Sequence, residues 1–257
     1  MLGRDVLAAA AVTQLIGLRP ALAASPVSLS DDFSVLGTRE IIGRTIRDSA
    51  GTPYTWAQLY PSPAWRRGPY FSTGNPGIVN GKLQRRHPST AMYPGLSLPG
   101  VPSHVEVDFV FDPDGVGGRR VFVHLFSDTD GTRTSPEIPF HLIIGSRGYA
   151  VKAISTAAGD TALTGFGGFP DRGTVKYAGG RRLANGVGYT VQLDIVGDTA
   201  TITFPTALST PPVTLTDSRL TSARHPGGGD GRFLVLEDES DAASEPYNAF
   251  TAVRIVL

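Results

Sequence analysis

The order of apolar and polar positions along this chain is that of β-strands almost throughout. "HVEVDFVF" at 104–111 alternates polar and apolar side chains. "RRVFVHLFS" at 119–127 puts Val121, Val123 and Leu125 on one side, and Phe122, His124 and Phe126 on the other. "PFHLIIG" (139–145) and "YAVKAIS" (149–155) follow, joined by the turn "GSRG". Further strands are predicted over 173–178, 189–205, 231–238 and 250–257, with "VGDTA" splitting the stretch 189–205 into a hairpin. Side chains two residues apart share a face of a strand, so a period of two marks a half-buried sheet. Outside the first two dozen residues no window has the 3.6-residue period of an amphipathic helix, and no fixed-period repeat occurs. Strands broken by Gly and Pro turns predict an all-β fold, a two-sheet antiparallel β-sandwich or jelly roll.

Composition narrows this picture. The 257 residues include 31 Gly and 20 Pro, which suits many turns. Hydrophobic residues make up 40% and charged residues 18%, enough apolar material for a packed core. The formal net charge is zero, which argues against a nucleic-acid partner. Cysteine is absent, so neither disulfides nor thiolate metal sites are available. Arg far outnumbers Lys, with pairs at 66–67, 85–86, 119–120 and 181–182. Guanidinium groups suit anionic ligands such as acidic glycans, and Arg codons also accumulate in GC-rich genomes.

The first residues read as an export signal over 1–24. Arg4 precedes an apolar run from Val6 to Leu18, and Ala21 to Ala23 form a small-residue cleavage site. The run is too short to span a bilayer, and no other is longer and as apolar. The expectation is a secreted or periplasmic protein with no membrane span, and one folded domain over 25–257.

Three stretches carry a resemblance. "LSDDFSVLGT" is similar to an Asp-Asp-Phe opening strand. "WRRGPYFSTGNPGIVNGKLQRR" contains Trp65 and an Asn80-Gly81 turn followed by Leu83. "YTVQLDIVGDTATITF" with the closing "FTAVRIVL" resembles paired late strands and a final strand. Together they resemble the concanavalin A-like lectin/glucanase superfamily of bacterial secreted sandwiches, laminin-G-like modules included. The resemblance implies a groove over one sheet and a poly- or oligosaccharide partner. This fold also hosts lyases, hydrolases and inert spacers.

If neighbouring strands align their polar faces, one groove floor gathers His104, Glu106 and Asp108 with His124, His141, Lys152, Gln192 and Asp194. Trp56, Tyr60, Trp65, Tyr70 and Tyr93 would border it and stack on sugars. Glycan β-elimination needs a neutralised carboxylate, a base and an acid, and His titrates near neutrality. The catalytic candidates are therefore His124, His141 and Glu106, with Tyr149 or Tyr189 as further proton carriers. Substrate-binding candidates are His104, Asp108, Lys152, Gln192, Asp194, Trp65 and Tyr70. A retaining hydrolase needs two carboxyl groups about 5–5.5 Å apart. Related glucanases set three acids on one strand; here Glu106 and Asp108 are followed by Val110 or Phe111, so the general acid is missing. A structural or adhesive module is the alternative from another class. No cofactor and no metal site is expected; the Asp-x-Asp-Gly stretches at 111–115 and 127–132, and Asp31 with Asp32, are where structural calcium would bind.

Overall fold

The computed structural model describes residues 26–58, 77–84, 94–111, 120–126, 138–145, 148–155, 159–162, 183–208, 211–216, 232–239 and 248–257. The leader, the strand expected at 173–178, Tyr60, Trp65, Tyr70, Tyr93 and most of both Asp-x-Asp-Gly stretches lie outside them.

Seventeen strands run through the described residues. The first seven are short: β1 (Ser28–Asp31), β2 (Thr38–Glu40), β3 (Thr45–Arg47), β4 (Pro53–Gln58), β5 (Gly77–Val79), β6 (Lys82–Gln84) and β7 (Pro94–Leu98). The longer ones fall where alternation predicts them: β8 (His104–Phe111), β9 (Arg120–Phe126), β10 (Ile138–Gly145), β11 (Gly148–Ser155), β13 (Val187–Val196), β14 (Thr199–Thr203), β16 (Arg232–Glu239) and β17 (Ala249–Val256). Two further short strands, β12 (Gly159–Ala162) and β15 (Val213–Thr216), extend the edges.

These strands form two antiparallel sheets. The first runs β15-β14-β13-β8-β17-β6-β5-β2, with β1 also paired to β17. The second runs β12-β11-β10-β9-β16-β7-β4-β3. The chain crosses repeatedly between the sheets up to β8; from there it changes sheet between β8 and β9, returns between β12 and β13, and crosses twice more at β16 and β17. The protein is thus the two-sheet antiparallel sandwich that its alternation implies.

The apolar half of each strand makes the core. Val105, Val107, Phe109, Phe111, Val191, Leu193, Val253 and Ile255 of the first sheet belong to one buried cluster with Val121, Val123, Leu142, Ile144, Leu234 and Leu236 of the second. Burial of this kind is worth roughly 25 cal/mol per Å² of apolar surface. The Asn80-Gly81 turn forms as expected, both residues at positive φ (48° and 76°), with Leu83 fully buried beyond it. Paired positive φ is the signature of the tight hairpin turn whose twist matches its strands.

A polar knot closes one part of this core. Asp31 ends β1 in the first sheet, and its carboxylate reaches residues at and before β4 in the second. Arg44 donates from Nε to Oδ2 (3.0 Å) and from Nη2 to Oδ1 (2.9 Å). Trp56 Nε1 donates to Oδ2 and the Phe33 amide to Oδ1, each at 2.9 Å. Both oxygens therefore face N–H donors, and the calcium role considered for Asp31 is corrected to that of a structural anion. Trp56, considered as a sugar platform, is fully buried and belongs to the core.

Candidate functional site

The core separates the expected site residues into two groups. His104, Glu106 and Asp108 alternate with buried Val105, Val107 and Phe109, so they lie on the outer face of the first sheet. His124 and His141 belong to β9 and β10 of the second sheet, and their side chains lie outside those described. Facing sheets stack roughly 10 Å apart with side chains filling the gap. The single groove floor expected from the sequence needed these strands in one sheet; the strand of Glu106 and the strands of the two histidines belong to different sheets.

On the first face, register fixes the neighbours. Gln192 lies opposite Glu106, Thr190 opposite Asp108, and Asp194 opposite His104. Across the other flank Arg254 lies opposite Glu106. The side chains saturate one another. Gln192 Nε2 donates to Glu106 Oε2 (2.7 Å), and Thr190 Oγ1 donates to Asp108 Oδ1 (2.6 Å). Arg254 donates to Glu106 through Nη1, and its Nη2 lies 2.9 Å from Asp108 Oδ2. His104 Nδ1 meets Asp194 Oδ1 at 2.6 Å. The hydrogen bond that Arg254 donates to Asp108 holds its guanidinium above its ordinary pKa, against a smaller opposing effect of burial.

Arg254 and Thr190 were not among the sequence candidates. The signal for Arg254 was present: it is the one charged residue inside the apolar closing strand. Because Arg254 is half-exposed, its ion pairs are screened by water. Arg254→Met is expected to lower stability by about 1 kcal/mol or less at low salt and by less still at high salt. Urea midpoints at the two ionic strengths measure this, and an equal loss at both would contradict a screened pair.

On the second face the register makes a row. His124 of β9 is the direct partner of His141 of β10, and His141 is the partner of Lys152 of β11. On the other side His124 pairs with Val235 of β16. Val235 is completely buried, although its neighbours Leu234 and Leu236 take the core-facing positions. The row thus ends at a position sheltered from water. Along the same strands Ile143 is the register partner of Phe122, and Phe233 that of Phe126.

The two tyrosines considered as proton carriers sit elsewhere. Tyr149 packs against the core, its ring centroid 4.0 Å from that of Phe204, and burial raises its pKa. Tyr189 also packs on the core beside Phe109, and its hydroxyl accepts from the Ala184 amide at 2.7 Å. Neither shares the outer face of the second sheet, so both are corrected to structural positions. Among the described residues no group of three or more His, Asp or Glu is gathered in metal-binding fashion, and no helix is long and apolar enough to cross a membrane.

No protein-family model and no curated protein matches this chain. Solved structures do. It is similar to LamAcat from Zobellia galactanivorans at 12% identity and a TM-score of 0.48, over 89% of this chain and 96% of that one. It is similar to a pseudo beta-1,3-glucanase of Mycobacterium tuberculosis at 13% identity and a TM-score of 0.45, over 88% and 97%. Congerin II liganded with lactose and MES matches at 12% identity and a TM-score of 0.35, over 62% and 97%. At such identities these likenesses assign no role to any residue of this chain.

Proposed function

We propose that the protein is an exported, carbohydrate-binding β-sandwich, secreted or periplasmic, which takes a poly- or oligosaccharide at the central strands of its second sheet. The observation that carries this reading is the cross-strand row Lys152–His141–His124. Directly opposed residues of an antiparallel pair have Cβ atoms about 4.5–5.5 Å apart. Two histidines and a lysine in consecutive places supply the groups that uronate recognition and β-elimination require. Lysine neutralises the carboxylate, one imidazole takes the C5 proton, and the other protonates the leaving oxygen. The finer reading is therefore a polysaccharide lyase acting on acidic glycans. Glu106 is left out of that set because it lies on the other sheet.

The hydrolase alternative loses support from the same geometry. Glu106 and Asp108 are tied to Arg254, Gln192 and Thr190, and no third acid stands on β8. A structural or adhesive module keeps one specific observation in its favour, the self-saturated outer face of the first sheet.

Glycan-array binding and the absorbance of unsaturated uronate, measured on a panel of acidic polysaccharides, test the proposal. His124→Ala and His141→Ala are each expected to reduce glycan retention about tenfold or more, while Glu106→Gln leaves it unchanged. Retention unchanged in both histidine variants would remove the second face. Retention without any uronate signal would keep the binding module and remove the lyase.

A further inference from the structure

We infer that Asn80 is the site at which the folded chain deamidates spontaneously, and that Asn185, in the same Asn-Gly setting, is shielded. Asparagine is a thermolabile residue. Its deamidation needs the next backbone nitrogen to reach its side-chain carbonyl carbon. The chain has four asparagines. Asn75 precedes Pro76, which has no N–H to give up. Asn248 is fully buried and precedes Ala249, whose methyl group crowds the attacking nitrogen. Asn80 and Asn185 are both exposed, and each precedes a glycine that has no side chain to crowd it.

The sequence presents these two sites alike, and the fold separates them. In each turn the attacking nitrogen donates a hydrogen bond and must first be released. Gly186 donates at 2.5 Å to the carbonyl of Phe111, a fully buried residue of β8. The next residue, Val187, is the register partner of that same Phe111. Gly81 instead donates to the Val35 carbonyl at 3.2 Å, the long end of the N–H···O range. The Asn80 amide donates to the Gly37 carbonyl at 3.0 Å. Both acceptors lie in the loop between β1 and β2, where Leu36 is 92% exposed. Strand β2 ends its sheet, and all three of its residues are exposed. Freeing Gly81 therefore takes a local opening at the sheet margin. Freeing Gly186 takes the parting of β13 from the core strand β8. Marginal openings of the first kind cost far less free energy than openings of the core.

Once released, the Gly81 nitrogen loses its proton to hydroxide and attacks Asn80 Cγ. The N–Cγ bond forms, the Cγ–Nδ2 bond breaks, and ammonia leaves after taking a proton from water. Water then opens the cyclic imide at either carbonyl, leaving aspartate or isoaspartate at position 80. No oxidant, cofactor or enzyme is required. The isoaspartyl product lengthens the main chain inside the hairpin that pairs fully buried Ile78 with fully buried Leu83. It thus loosens a turn that the core depends on.

The test is peptide mapping by mass spectrometry of the full-length protein, incubated warm at mildly alkaline pH. In the folded protein, acid at position 80 is expected to accumulate about tenfold or more faster than at position 185. In guanidinium chloride the two rates should converge, because neither amide is then held. Asn80→Gly, which keeps a residue suited to positive φ, should remove the main acidic species, while Asn185→Gly leaves it. Folded protein in which Asn185 reacts as fast as Asn80 overturns the inference. So does an equal rate ratio in the folded and unfolded states, or folded protein that reacts at neither site while the unfolded chain reacts at both.

Discussion

Asp31→Ala is expected to lower the unfolding free energy by about 3–5 kcal/mol, the size seen when one member of a buried ion pair is removed. The Asp31 side chain is wholly shielded from water, and Arg44 is mostly so. Deleting the carboxylate strands a guanidinium, the Trp56 indole N–H and the Phe33 amide at once. An unsatisfied buried donor forfeits its desolvation free energy with nothing in return. The loss also acts across the sandwich, because β1 belongs to the first sheet and Trp56 to the second. Urea unfolding measures it as a fall in midpoint at constant slope. The comparison is Asp194→Ala, whose carboxylate is half-exposed and pairs with His104 on the surface; there the change stays below about 1 kcal/mol. Equal losses for the two variants would contradict the assignment of Asp31 as the anion that ties the sheets together.

Phe109→Ala is expected to be of similar size, about 3–5 kcal/mol, by a different cause. Phe109 is fully buried at the centre of β8. It stands directly opposite Tyr189 on one side and Phe250 on the other. Its ring meets Phe111 edge-on, with centroids 5.5 Å apart and planes at 84°, and lies 6.0 Å from the ring of Tyr189. Truncation removes the transfer free energy of the ring and leaves a cavity that flanking strands, held by backbone ladders on both sides, can collapse into only partly. Phe109→Leu keeps most of the volume and should lose less than half as much. If alanine and leucine lose the same amount, the ring contacts rather than the filled volume are what matter at this position.

Strands such as β8 were legible because one face is wetter than the other. In "HVEVDFVF" every second residue is apolar, and the strand occupies the residues that the alternation marks. Strands of three residues, such as β2, β3, β5 and β6, hold too few positions for a period of two to show. The hairpin turns were legible for a separate reason: Asn80-Gly81 and Gly197 take up positive φ that other residues resist.

The candidate site was legible only as a set of residue types. His104, His124 and His141 each sit at a polar position in an alternating strand, and local sequence treats the three alike. The chain changes sheets between the first and the second, so the core comes between residues that look equivalent on paper. The same blindness affected Asp31. Its partners come from Arg44 and Trp56, and a carboxylate awaiting calcium has the same sequence as one clasped by a guanidinium.

By itself, then, the sequence determined that this is an antiparallel all-β chain, and which residues of strands such as β8 and β13 face the core, since both follow from local alternation. Tertiary structure alone decided which outer face each polar residue joins. It set Arg254 between Glu106 and Asp108, and His124 beside His141. Sheet membership and register come from hydrogen bonds between segments distant in the chain, and no local pattern of side chains encodes them.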